Sequence, residues 1–108
     1  MSFDFSIVEP ACAACGHIRR YDWDGCTWNL APMWRATGYD LYDFNGKKAS
    51  ECAPILRKMI EAMRADPAKF KVLNPPNKWG SYDELMPCLE RYLEAMEGLP
   101  NGIISVTS

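Results

Sequence analysis

Two consecutive prolines at 75 and 76 interrupt the second half of this chain, and they constrain its fold more than any other feature. Neither a helix nor an inner strand tolerates the run "NPPNKWG", so the residues on either side must form separate elements. On the N-terminal side, from about Ser50 to Ala65, Cys52, Leu56, Met59, Ile60 and Met63 recur at spacings of three and four. Arg57, Lys58, Glu61 and Arg64 take the opposite face, the pattern of an amphipathic helix. Pro54 is placed in its first turn. On the C-terminal side, Ser81 and Glu84 form an S-x-x-E capping box ahead of Tyr82, Leu85, Met86, Leu89, Tyr92, Leu93 and Met96. That helix is expected to stop at Gly98, with Pro100 behind it.

Shorter elements surround this pair. Phe3, Phe5 and Ile7 alternate with polar residues, as in a half-buried strand, and Asn101-Gly102 turns the chain into the β-branched run "IISVT". A further helix is expected from an Asn29 N-cap, with Pro32 in its first turn, to Gly38. Asn45-Gly46 marks a tight turn, and Asp66-Pro67 ends the 50–65 helix and opens a short one. The expected class is α+β, one domain over residues 1–108, with three main helices packed on a small sheet formed by the terminal strands. A cysteine-rich loop is placed at 10–27.

Bulk properties narrow the function. With 48% hydrophobic and 24% charged residues, the composition is that of a globular domain. A net charge of -2 argues against general nucleic-acid affinity. The N-terminus lacks a basic start and Asp4 interrupts its apolar residues, so it reads as neither signal peptide nor membrane anchor. Five cysteines are then expected to be reduced thiols in the cytoplasm. Charge is uneven: Lys47 to Lys78 carries eight basic residues against three acidic, and Trp79 to Glu97 one against five. Two helix faces that attract each other explain this, as does a surface that steers a charged partner.

The loop "CAACGHIRRYDWDGC" holds the strongest hint of metal chemistry. Cys12-x-x-Cys15-Gly16 is half of a zinc knuckle, and Cys26 and His17 would complete a Cys3His set for a structural zinc. The competing reading is reduced thiols in a variable loop. No βαβ pattern surrounds the C-x-x-C, which argues against a redox pair. No catalytic dyad, phosphate loop or zinc-protease motif is present in the sequence, so no catalytic residue is assigned and a non-enzymatic role is expected.

Aromatic and amide residues gather in "TWNLAPMW" and "NPPNKWGSY". As caps and core edges they would be purely structural. Brought together, Trp28, Asn29, Trp34, Asn74, Asn77, Trp79 and Tyr82 would form a binding surface. These segments, with "DFNGKKASECAPIL" between them, resemble a family of small uncharacterised proteins from phages and prophages of actinobacteria and other bacteria. The resemblance spans roughly residues 25 to 107. It rests on Thr27, Asn29, Pro32, Met33 and Trp34, then Gly46, Lys47, Glu51, Pro54 and Leu56, then Asn74, Pro75, Asn77, Trp79, Gly80 and Tyr82. Gly25 replaces an asparagine of the family pattern, and the cysteine loop lies outside it. The resemblance implies a small accessory phage protein in the host cytoplasm; by analogy with such proteins, which commonly block a host component such as a defence system, the expected function is a binding protein that docks on a host protein or sequesters a small ligand. Two other classes stay open: a zinc-stabilised nucleic-acid-associated module using the basic 47–78 stretch, and a nucleotide-acting enzyme.

Overall fold

The computed structural model describes residues 2–10, 14–27, 30–74 and 81–107, with backbone alone at 2, 3 and 24–27. Three strands, β1 (Ser2–Val8), β2 (Arg20–Thr27) and β3 (Ile103–Thr107), form an antiparallel sheet in the order β2-β1-β3. Four helices complete the described fold: α1 (Ala31–Arg35), α2 (Ala49–Ala65), α3 (Pro67–Lys71) and α4 (Tyr82–Gly98). The class is α+β, and the terminal strands β1 and β3 do pair. Two main helices carry it rather than three, because α1 is a single short turn of five residues.

Alternation places Phe5, Ile7, Ile104 and Val106 on one face of the sheet, all buried beneath the helices. Phe5 stacks on Tyr92 of α4 with ring centroids 4.3 Å apart. Leu56, Met59, Ile60 and Met63 of α2 meet Leu85, Leu89 and Met96 of α4 in the same core, and each such side chain contributes about 1.5–3 kcal/mol by burial. Leu93 is only half-buried and packs against the edge of this core. Arg57 pairs with Glu97 at 3.2 Å, and Arg64 pairs with Glu90. A step of seven residues forward on α2 thus matches seven backward on α4, so the helices run antiparallel. The uneven charge is in part this helix–helix attraction, although each half-exposed pair adds at most about 1 kcal/mol.

Several local signals act differently from expectation. Pro54 is the sixth residue of α2, not part of its first turn, and Pro87 holds the same place in α4. Both are exposed, so water can solvate the carbonyls that lose their helical donors. α1 takes Leu30 as its N-cap, without a side-chain bond, and Asn29 lies outside the described residues. Ser81 is the N-cap of α4, but its side chain makes no capping bond. Asn74 Oδ1 instead accepts the Tyr82 N–H at 2.9 Å. α3 follows the expected course, capped by Asp66 accepting from the Lys69 N–H.

The turn into β3 is tight. A side chain at Gly102 would overlap Cγ2 of Ile7, which is fully buried and has nowhere to move. Beyond this turn, segment 45–48 covers the outer edge of β3. Gly46 N–H donates to Ile104 O, Ile104 N–H donates to Lys47 O, and Val106 N–H donates to Asn45 Oδ1. Gly46 reaches φ +81° to make this approach, which explains the Asn-Gly pair.

Candidate functional site

The predicted aromatic-amide surface separates into residues with distinct duties. Trp34 is wholly buried, and its indole N–H donates to Asp40 Oδ1 at 3.1 Å. Asp40 also accepts from Arg35 Nε at 2.8 Å and from the Tyr42 N–H at 3.1 Å, capping the 3-10 turn Leu41–Phe44. Partial burial pushes the Asp40 carboxyl up, but the Tyr42 amide, the indole and the Arg35 guanidinium outweigh this and hold it below its ordinary 3.8. Trp34 is therefore an internal anchor and not a contact surface.

The second segment gives a similar result. Tyr82 is buried, its hydroxyl donates to Met63 O at 3.0 Å, and Lys71 Nζ lies 5.5 Å from its ring centroid. Asn74 is exposed but ties the chain before the proline run to the first residue of α4. Trp28, Asn29, Asn77 and Trp79 lie outside the described residues. The described members of the set thus hold two loop bases in place. Beside the second base stand the most exposed apolar residues of α3's exit, Val72 at 80% and Leu73 at 36%, flanked by Lys69 and Lys71.

Of the expected zinc set, Cys26 stands apart from Cys15 and His17. β2 carries Cys26 to the register position opposite Phe3, while the ladder runs past Val8 and Arg20 to a Glu9–Arg19 bond. Six residues of strand separate Cys26 from Arg20, about 20 Å of extended chain. Cys15 and His17 lie beyond Arg19, at the far end of the hairpin, so their backbone is too distant from Cys26 for one ion with bonds of about 2.0–2.3 Å. Cys12 lies outside the described residues, and among those described no cluster of three metal-ligating side chains occurs. Cys15 and His17 are exposed and line a hollow of about 280 Å³ with Glu9, Pro10 and Arg19. Cys52 and Cys88 are core thiols, and burial pushes the Cys52 thiol up.

β2 occupies the second half of the stretch that the sequence places in a cysteine-rich loop at 10–27. The period-two signal was present: Tyr21 and Trp23 alternate with Arg20, Asp22 and Asp24. Asp22 is paired across the strands, accepting from Ser6 Oγ at 2.6 Å and from Arg20 Nε at 3.0 Å. The Ser6 hydroxyl, then Arg20, hold its carboxyl below the ordinary value. Trp23 faces α4, and with Arg91, Glu94, Ala95, Gly98 and Leu99 it lines a cleft of about 410 Å³ beside the sheet edge.

No family model, curated protein or solved structure matches this chain. The likeness to small phage proteins accordingly rests on the motif residues alone. Among the described residues, no helix is long and apolar enough to cross a membrane.

Asp40 gives the site's pH signature. Because its folded-state value is depressed, its stabilisation is complete above the unfolded 3.8 and is lost as the pH falls through the folded value. Urea unfolding from about pH 6 to about pH 2 should show Asp40→Asn less stable than wild type at the upper end, with the gap closing on acidification. A gap that stays constant down to the acid end would show that the ionised carboxylate adds nothing.

Proposed function

We propose that this chain is a small non-catalytic binding protein of phage origin that docks on a host protein in the bacterial cytoplasm and blocks it, a defence component being the class of target implied by the resemblance. The observation that carries the reading is the Val72–Leu73 pair. These apolar side chains stand in water at the base of the segment containing Trp79, and the Asn74–Tyr82 bond ties the two ends of that segment. A docking loop benefits from a fixed base, since less chain entropy is lost on contact. Lys69 and Lys71 frame the patch, so its partner should offer an apolar surface with an acidic rim. A nucleic-acid reading gains little: Arg57 and Arg64, two of the basic residues in 47–78, are already paired with Glu97 and Glu90.

Affinity capture from host extract, with wild type and with Val72→Asp and Trp79→Ala run in parallel, tests the proposal. One host protein should be retained by wild type and lost by both variants, while circular dichroism and melting of Val72→Asp stay unchanged, as expected for an exposed site. A host protein retained equally by wild type and both folded variants would place the contact elsewhere. If Trp79→Ala unfolds the chain, the tryptophan is structural, and Val72→Asp alone decides.

A further inference from the structure

Among the described residues the sheet has one covered edge and one open edge. β3 is closed off by segment 45–48, whereas among the described residues nothing pairs with the outer side of β2. The Glu9 N–H to Arg19 O bond sets the phase of the ladder. Tyr21 and Trp23 direct their amides toward β1, so Arg20 and Asp22 direct theirs outward. An open strand edge of this kind is a template for another strand.

We propose that this edge pairs antiparallel with β2 of a second copy of the chain, about a two-fold axis at Tyr21, giving a continuous six-stranded sheet. Three registers satisfy the outward amides of Arg20 and Asp22. Centring on Arg20 sets arginine opposite arginine, and centring on Asp22, although it brings Arg20 opposite Asp24, sets aspartate opposite aspartate at the axis. Centring on Tyr21 sets Arg20 opposite the second copy's Asp22, twice, and the main chains exchange hydrogen bonds at both pairs. Charge selects this register. It also lays Arg19 of one copy opposite Trp23 of the other, on the face of the sheet that carries α4. There the cleft between Trp23 and α4, lined by Arg91 as well, offers an indole ring and the Glu94 carboxylate to a guanidinium. Arg19 and Arg20 are both exposed in the single chain; Arg20 there bonds Asp22 of its own strand, an exposed pair that is exchanged for the equivalent pair across the axis.

Sedimentation equilibrium of the full chain from about 1 µM to about 1 mM tests the pairing, since this range spans weak to moderate self-association. Wild type should pass from monomer to dimer, while Asp22→Arg and Arg20→Asp should each remain monomeric, with two like-charged pairs facing across the axis. An equimolar mixture of the two variants should dimerise again, because arginine at 20 and 22 then meets aspartate at 20 and 22. That mixed recovery also shows that both variants fold. A monomeric wild type at the highest concentration would overturn the proposal and leave the edge to an extended segment of another protein. Single variants that dimerise as wild type does would overturn it too, as would a mixture of folded variants that stays monomeric.

Discussion

Trp34→Ala should lower stability by about 3–5 kcal/mol, the cost of emptying a fully buried tryptophan site. Trp34 is 0% exposed, and its indole also supplies one of the donors that hold Asp40 in place. The truncation therefore removes core packing and loosens the cap of the Leu41–Phe44 turn together. Domains of this size hold only about 5–15 kcal/mol in total. The melting temperature should consequently fall on the order of 15 °C or more. Trp34→Phe should lose less, since a ring remains and only the donor is removed. Urea unfolding of both variants, followed by circular dichroism, measures the difference. A loss below about 1 kcal/mol in Trp34→Ala would mean that the indole is not packed in the core.

That expectation reverses the role the sequence suggested for Trp34, and the reason is physical. A tryptophan near a helix start looks the same in sequence whether it covers the core edge or fills the core. Asp40 decides the matter here, six residues away, across a turn that Gly38 permits at φ +94°. The same limit applies to Asn74. The S-x-x-E pattern at Ser81 is local and legible, but the donor at the start of α4 is taken by an amide eight positions upstream. Contacts closed through an intervening loop leave no periodic trace.

Elements with a regular period were legible. α2 and α4 appear close to their expected bounds because apolar residues at spacings of three and four must face one partner. β2 carries its own period of two, yet its charged positions and its cysteine obscured it. Asp22 reads as a solvated turn residue until Ser6, sixteen positions earlier, is seen to donate to it. The cysteines of 12–26 suggest a cluster because they are near in sequence, and the hairpin separates Cys26 from Cys15 because strands are long. Chain proximity is a poor guide to ligand geometry wherever a strand intervenes.

The second large effect lies on α4 and tests how that helix is rotated. Leu89→Ala should cost about 2–5 kcal/mol, and Leu93→Ala clearly less. Sequence periodicity assigns both leucines to the α2–α4 seam. The structure separates them: Leu89 is fully buried, while Leu93 is half-buried at the margin of the core. The difference follows from the stripe itself, which runs through Leu85, Leu89, Tyr92 and Met96 at steps of four, three and four. At about 100° per residue, the position after Tyr92 has rotated away from the centre of that stripe. Tyr92 takes the central place and stacks on Phe5. Truncating Leu89 leaves a cavity enclosed by α2, the sheet and its own helix, which backbone shifts cannot readily close. Truncating Leu93 opens a notch that water can fill, so mainly the transfer free energy of its partly buried methyl groups is lost. Chemical unfolding of the two variants under identical conditions gives the ratio directly. Equal losses would place both side chains at the same depth and rotate α4 by about half a residue step from the orientation described here.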